Sequence, residues 1–538
     1  MRTIRSLALA TGLALCCLAT LATQAEGKRP RNIIFILTDD QRFDALGVMN
    51  PALKTPNLDR LAKQGAHFRN AFVTTSLCSP SRATILTGQY MHDHGVVDNN
   101  RPLRPGTVTF PSYLQGAGYQ TAFFGKWHMG GDGDEPQPGF DHWVSFAGQG
   151  NYFPDEVVGE SSANGQPNQL NIDGKHVPQK GYITDELTDY ALDWLRQGRD
   201  RDKPFFMYVS HKGLHANFRP APRHADAYKD LRIDPPASMA DTPDNYVGKP
   251  LWVRNQRNSW HGVDFPYHSQ IDIAEYRRNY YRTLLSVDES IGKLMAELER
   301  EGLDQDTAII FMGDNGFMFG EHGLIDKRNA YEESMRVPLL AYAPGLITPG
   351  TQVEAMVANL DIAPTMLDIA GVKEKPAAFA GSSFLPLAQG QNPAGWRQEL
   401  LYEYYWEFNY PHTPTTFAVR TDRYKLIQYH GVWDTEELYD LQADPQEMRN
   451  LIDDPALIRT KVALRARLFD MLANGEGDHV IPFTRKFNSG AVFRNQEGSP
   501  AAIFPSTWMR RKGDWDVDQH FLPDGPGKDE KLRSVKKY

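Results

Sequence analysis

The sequence has 538 residues, of which 41% are hydrophobic and 23% charged, and its formal net charge is −9. A chain of this length can bury one large core and a smaller one, while its acidic balance argues against general nucleic-acid binding, which needs basic surfaces. A pocket for an anionic substrate must therefore be locally positive, and a bound cation should neutralise part of the acidic charge.

The first residues have the pattern of an export signal. Arg2 and Arg5 precede an apolar stretch at residues 7–21 and a cleavage-like tripeptide at 23–25, which is typical of a secretory signal peptide over residues 1–25. The apolar stretch is shorter than the about 20 residues of a membrane span, and no later segment is apolar enough to insert stably. Cleavage would leave 56 basic and 67 acidic residues, a charge of −11, in a periplasmic or secreted protein.

The cysteines agree with soluble export. Cys16 and Cys17 raise the alternative of a lipid anchor, which we rank second because Leu15 and Cys16 are poor residues to precede a lipidated cysteine. Cys78 is then the one cysteine of the mature chain, so no intramolecular disulfide can form and stability must come from core burial.

Short β-rich runs alternate with amphipathic helical patterns, which predicts an α/β fold with a large, mostly parallel sheet flanked by helices on both faces. The predicted strands are residues 32–37, 119–124, 205–209, 308–312 and 338–342. The predicted helices are residues 55–65, 80–90, 184–196 and 274–301.

Carboxylates follow two of these strands. Asp39 and Asp40 come directly after the first strand, and Asp314 and Asn315 follow the strand at 308–312. Ligands bind at the carboxyl ends of strands in open α/β sheets, and an all-oxygen site suits Ca²⁺ or Mg²⁺. A single Asp more often caps a helix or makes a turn, but the set favours a metal site.

The helix over 80–90 has clear local signals. Ser79 is a good N-cap and Pro80 suits the first helical position, which places Cys78 just ahead of the helix. Unpaired N–H groups and the positive end of the helix dipole there favour an anion or a thiolate. The alternative is a buried free cysteine that acts as a small hydrophobe, which its polar neighbours disfavour.

Four motifs carry a resemblance to a known family. They are LCSPSRATILTG at 77–88, GKWH at 125–128, SHKGLH at 210–215 and GEHG at 320–323. In this order they resemble the formylglycine-dependent sulfatases of the alkaline phosphatase superfamily, and the resemblance extends over residues 32 to about 455.

The resemblance implies a metal centre and a modified nucleophile. A maturation enzyme would oxidise Cys78 to formylglycine (3-oxoalanine), and this residue would join the metal ligands. The other implied ligands of Ca²⁺, or of Mg²⁺ as the alternative, are Asp39, Asp40, Asp314 and Asn315.

The resemblance also implies the remaining catalytic residues. Arg82, Lys126 and Lys327 would bind the sulfate and the modified residue. The hydrated aldehyde would attack sulfur and displace the alcohol, after which His128 would deprotonate its second hydroxyl and sulfate would leave. His215, with Lys327, is the candidate proton donor to the leaving oxygen, and His211 is its rival.

The rest of the chain predicts a smaller second unit. Residues 26–395 would form the catalytic domain, with a Pro- and Gly-punctuated linker at 371–396, and residues 396–475 a small antiparallel subdomain. The aromatic run at 402–408 fits a half-buried strand better than a sugar-stacking surface. Residues 476–538 have weak periodicity and would form an extension packed on the surface.

The motif wording at 90–95 and 211–218 looks most like sulfatases of sulfated sugars, including the glucosamine-6-sulfatase-like group. We therefore expect an exported sulfatase that hydrolyses sulfate esters of a carbohydrate. One alternative is a phosphonate or phosphate ester hydrolase of the same superfamily. Another is a non-catalytic protein that binds sulfated glycans, if Cys78 is unmodified.

Overall fold

A computed structural model describes residues 32–473, except 131–132, 157–167, 266–271, 374, 408–409 and 432–433. The predicted signal peptide, with Cys16 and Cys17, and the predicted extension at 476–538 lie outside the described residues. Among the helices that are described, none combines the length and the apolar character needed to cross a membrane.

One large sheet and one small sheet organise the described chain. The strands of the large sheet are β1 Asn32–Thr38, β2 Ala66–Phe72, β3 Gln120–Lys126, β4 His142–Phe146, β5 Gln169–Ile172, β6 Lys175–Pro178, β7 Phe205–Ser210, β8 Thr307–Gly313, β11 Arg336–Tyr342, β12 Thr351–Val353 and β13 Val357–Ala358. A hairpin is formed by β9 Met318–Phe319 and β10 Ile325–Asp326, and the small sheet by β14 Glu399–Tyr404, β15 Thr415–Thr421, β16 Tyr424–His430 and β17 Glu437–Asp440.

The α-helices are mostly short, and one is long. They are α1 Pro56–Gln64, α2 Cys78–Thr87, α3 Met91–His94, α4 Phe110–Gly116, α5 Ile183–Asp193, α6 Leu251–Gln256, α7 Ile273–Glu301, α8 Glu332–Met335, α9 Ile362–Ile369, α10 Leu385–Ala388 and α11 Ile458–Ala473. The long helix α7 begins at its N-cap Asp272, whose side chain accepts a hydrogen bond from the Ala274 backbone N–H, and this satisfies one of its unpaired donors.

The large sheet has the order β12-β2-β11-β8-β1-β7-β3-β4-β5-β6, and β13 also pairs with β2. Its central strands β8, β1, β7, β3 and β4 are parallel, whereas β11, β5 and β6 pair antiparallel with their neighbours. The predicted fold class is confirmed. Because parallel strands end at the same edge, the segments that follow β8, β1, β7 and β3 meet there.

Helices bury both faces of this sheet. All seven residues of β1 are buried, and alternate residues point to opposite sides. Phe35 lies in one apolar cluster, whereas Ile34 and Ile36 lie in a second cluster with Leu284 and Leu294 of α7. The regular stripe on α7 is therefore core packing.

The strands of the small sheet pair antiparallel in the order β14-β15-β16-β17. Tyr402 and Tyr404 on β14 are fully buried, so these two rings belong to the core and are not a sugar-stacking surface. The segment predicted to be a linker also contributes to packing, since Phe384 and Leu387 lie in the main apolar cluster.

Candidate active site

Four neighbouring strands deliver the candidate site. Asp39 follows β1, Asp314 follows β8, and Lys126 and Ser210 end β3 and β7. Backbone hydrogen bonds continue the ladder past the strand ends, from Asp314 N to Thr38 O at 2.9 Å and from Asp39 N to Gly213 O at 3.0 Å. The side chains predicted from separate motifs are therefore brought together at one edge of the sheet.

The acidic residues form a buried oxygen cluster. Asp39, Asp40 and Asp314 place carboxylate oxygens within 4.8 Å of one another, and Asn315 Nδ2 donates to Asp40 Oδ1 at 2.7 Å. Two buried oxygens, Asp40 Oδ2 and Asn315 Oδ1, have no hydrogen-bond partner among the described residues. Burial raises the pKa of Asp40 to about 7, although Lys327 opposes this. An oxygen-only set with unpaired atoms fits a hard cation such as Ca²⁺ or Mg²⁺.

Cys78 faces this cluster. Its thiol donates to Asp39 Oδ1 with a separation of 3.6 Å, and the ligand atoms of Cys78, Asp39 and His215 lie within 4.8 Å of one another. Cys78 is the first residue of α2 rather than the residue ahead of it, and Leu77 is the N-cap. The prediction that Ser79 caps the helix is wrong, because its hydroxyl donates instead to the carbonyl of His128.

The thiol does not behave as the helix position alone would suggest. Burial raises the pKa of Cys78 to about 12, and the charge of Asp39 adds to this effect. This shift is opposite in direction to the expected preference for a thiolate, since desolvation and the neighbouring carboxylate outweigh the helix N-terminus.

Three cations surround the acidic cluster, and each is at most 3% exposed. Arg82 donates from Nε to Asp314 Oδ2 at 2.9 Å and from Nη1 to the Lys126 carbonyl at 2.7 Å. The ammonium of Lys126 contacts the carboxylate of Asp39, and that of Lys327 contacts Asp40. These three cations equal the three carboxylates in number, so a bound divalent cation would make the pocket locally positive, as expected for an anionic substrate.

Two predicted histidines lie at the site. His128 is buried, and burial together with Lys126 and Arg82 holds its pKa well below the usual range. His215 is partly exposed, its Nδ1 lies 2.6 Å from the Ala216 carbonyl oxygen, and burial and Lys126 likewise lower its pKa. Both rings are therefore neutral near pH 7, and a neutral imidazole can accept a proton as a general base.

The rival histidine lies elsewhere. His211 has no exposed surface, and its Nε2 lies 3.2 Å from the hydroxyl of Ser290 on α7. It packs between the sheet and this helix, so His215 and not His211 joins the site.

Sequence reasoning missed the segment after β4. Gln149 Oε1 accepts a hydrogen bond from Lys126 Nζ at 2.6 Å, and the Gln149 carbonyl accepts one from Lys212 Nζ at 3.0 Å. Lys212 is only 4% exposed, and burial and Lys126 lower its pKa to about 8. The run HWVSF followed by Gly-Gln-Gly at 148–150 is a strand-and-turn signal that could have identified this segment.

The loop that carries Lys327 is held by contacts of its neighbouring residues. Lys327 follows β10, and the neighbouring Asp326 pairs with His261 at 3.3 Å. Arg328 donates to Glu407 at 3.1 Å, and its guanidinium carbon lies 3.9 Å from the centre of the Tyr410 ring. The chain after β14 is thereby anchored to the loop that carries Lys327.

Comparisons with known proteins agree with this arrangement. A family model described as Sulfatase matches residues 31–372, and a model described as N-sulphoglucosamine sulphohydrolase, C-terminal, matches residues 320–474. The N-acetylglucosamine-6-O-sulfatase of Bacteroides thetaiotaomicron is 37% identical over 82% of this chain and 86% of its own length.

Two solved structures are similar in fold and sequence. One, in complex with its substrate D-glucosamine-2-N,6-O-disulfate, has a TM-score of 0.74 and 34% identity over 83% of this chain and 98% of its own. The phosphonate monoester hydrolase of Silicibacter pomeroyi has a TM-score of 0.69 and 26% identity over 84% of this chain and 96% of its own.

Proposed function

We propose that this chain removes the 6-O-sulfate of an N-acetylglucosamine residue in a sulfated carbohydrate. The chain belongs to the sulfatase family and is therefore a sulfuric ester hydrolase. The observation that carries the proposal is the position of Cys78. Its sulfur lies 3.6 Å from Asp39 Oδ1, beside an oxygen cluster and between cationic side chains that suit a sulfate anion.

The oxygen cluster supports a bound cation. Asp39, Asp40, Asp314 and Asn315 would hold Ca²⁺, or Mg²⁺ in its place, because two of their buried oxygens lack a partner among the described residues. When present, the cation would supply Lewis-acid stabilisation of negative charge, and formylglycine at position 78 would supply the nucleophile.

The other side chains bind and move protons. Lys126 and Lys327 offer ammonium groups to the sulfate. A hydrogen bond to Asp314 fixes the guanidinium of Arg82 in the same pocket. Neutral His128 can accept a proton at its unpaired, buried Nδ1. His215 can serve as the acid toward the leaving oxygen once the negative charge of the bound sulfate ester raises its lowered pKa.

The relatives support the choice of sugar. The similar protein from Bacteroides thetaiotaomicron is named an N-acetylglucosamine-6-O-sulfatase, and the solved complex holds a glucosamine that carries sulfate at both the 2-N and the 6-O position. We further propose that residues 1–25 are removed on export to the periplasm or medium, and that a formylglycine-generating enzyme matures Cys78. N-terminal sequencing of the exported protein would test the cleavage.

One experiment tests the catalytic proposal. Protein coexpressed with a formylglycine-generating enzyme is digested with trypsin, the peptide containing Cys78 is weighed, and kcat/KM is measured on N-acetylglucosamine 6-sulfate, 4-nitrophenyl sulfate and an aryl phosphonate ester. We expect a mass consistent with conversion of the thiol to an aldehyde, and sulfate release from the sugar that Cys78→Ala abolishes.

The alternatives give different results. A higher kcat/KM on the phosphonate than on both sulfates would favour the phosphonate hydrolase, to which the structure is also similar. Glycan binding without turnover by protein from the native host, with an unmodified Cys78, would favour the non-catalytic binding protein.

A further inference from the structure

We infer that Gln149 is a positioning residue that holds the ammonium of Lys126 toward the sulfate, and that Lys212 and Tyr152 fix the segment that carries it. The inference rests on the sulfate-binding role proposed for Lys126. It assigns roles to Gln149 and Tyr152, which lie outside the four sequence motifs, and to Lys212, which lies within the motif at 210–215.

The contact itself fixes the orientation of the glutamine. An ammonium group can only donate hydrogen bonds, so the oxygen of the Gln149 amide must face Lys126 Nζ, from which it is separated by 2.6 Å. The other described acceptor of this ammonium is the carboxylate of Asp39, which is also a candidate metal ligand. A cation that engages Asp39 leaves Gln149 as the acceptor that keeps Lys126 in place.

The side chain of Gln149 carries no charge. An amide orients the ammonium without neutralising it, so the positive charge of Lys126 stays available to the sulfate. A carboxylate at the same position would form an ion pair with Lys126 and would repel the sulfate. The chemistry of a sulfate pocket therefore favours glutamine over its isostere glutamate.

The segment around Gln149 is held from both sides. Lys212 Nζ donates to the Gln149 carbonyl at 3.0 Å and lies 4.8 Å from the centre of the Tyr152 ring, whose hydroxyl donates to the His215 carbonyl at 2.8 Å. Gly150 has φ 63°, and a Cβ there would approach the Phe146 ring to 2.4 Å. The turn thus links the positions of Lys126 and His215.

The test measures binding of inorganic sulfate to the metal-loaded, matured protein by titration calorimetry. We expect Gln149→Met to weaken binding roughly tenfold, as for loss of one charge-assisted hydrogen bond, and Gln149→Glu to weaken it by a further tenfold or so. A purely structural role predicts the opposite order, because glutamate keeps the shape of glutamine. Gln115→Met is the matched control, since Gln115 bonds Asp141 at an exposed site.

A double-mutant cycle ties the effect to Lys126. In a Lys126→Met background, Gln149→Met should change sulfate affinity less than twofold, because the two residues act as one unit. A full tenfold loss in that background, or a glutamate variant that binds sulfate as well as the methionine variant, would overturn the inference. Failure of the proposed function is seen separately, as absence of sulfate release from N-acetylglucosamine 6-sulfate by the unaltered protein.

Discussion

Replacing Glu332 with glutamine tests how the small sheet is joined to the active-site loop. Glu332 begins α8, five positions after Lys327, and its carboxylate accepts two hydrogen bonds of 3.0 Å from Arg420 on β15. Lys425 on β16 lies 3.1 Å from the same carboxylate and 2.6 Å from Glu447. The side chains of Glu332, Arg420 and Lys425 are at most 8% exposed.

The expected loss of stability follows from this burial. Removing one partner of a buried ion pair costs about 3–5 kcal/mol, and we expect about 3 kcal/mol because Lys425 keeps Glu447. Domains of 150–250 residues lose about 2–4 °C per kcal/mol; at roughly half that sensitivity for this larger chain, the melting temperature should fall by about 3–6 °C at pH 7.

The effect should depend on pH in a defined direction. Burial would raise the pKa of Glu332, but Arg420 and Lys425 outweigh it and hold the pKa well below the usual range. A carboxyl with a lowered pKa contributes stability that is present above its unfolded pKa of about 4.3 and is lost as the pH falls below it. The difference between the two proteins should therefore be larger near neutral pH than below about pH 4.

Thermal unfolding followed by circular dichroism at several pH values gives the answer. Glu399→Gln is the control, because Glu399 pairs with Arg467 on the surface, where both side chains are more than 30% exposed and a pair contributes about 0–1 kcal/mol. Equal losses in the two variants, or a Glu332 difference that persists undiminished at acid pH, would refute the reasoning.

Two further predictions concern the site itself. Chelation of divalent cations should lower both sulfate ester turnover and the melting temperature, and added Ca²⁺ should restore them. The Asp314→Asn variant should bind Ca²⁺ at least tenfold more weakly by calorimetry, since the ion would lose a charged ligand. Turnover that is unaffected by exhaustive chelation would contradict the metal site. His128→Gln should lower kcat by a factor of about 10²–10⁴ with little change in melting temperature. His211→Gln, which loses the contact with Ser290, should instead lower the melting temperature and leave kcat unchanged. Equal effects of the two substitutions on kcat would contradict the assignment of a catalytic role to His128 and a structural role to His211.

The position of a site residue could be predicted from the sequence where it depends only on the neighbouring residues. Asp39 and Asp314 each follow a strongly apolar run, so their place at strand ends could be read directly from the chain. The order of the strands could not, because β1 is flanked by β7 and β8, which lie far along the chain. That pairing depends on long-range packing that no local pattern records.

The predictions that were wrong or incomplete also depended on contacts between residues far apart in the sequence. Ser79 has the right residue type for an N-cap, but a carbonyl from the loop after β3 captures its hydroxyl. The choice between His211 and His215 depends on Ser290 of α7, about 80 residues away in sequence. Gln149 was missed because the short strand β4 before it was not recognised.

The complete burial of Cys78 has a consequence for the order of events during biosynthesis. The side chain has no exposed surface and begins α2, so an enzyme that oxidises it cannot reach it in the folded protein. Strand β8, which brings Asp314 to the site, lies 229 residues after Cys78 (307 − 78). At a synthesis rate of about 5–20 residues per second, the interval before β8 emerges is about 10–45 s. The proposed conversion would therefore have to be completed before the chain folds, and the rate of folding would then limit the fraction of molecules that become active.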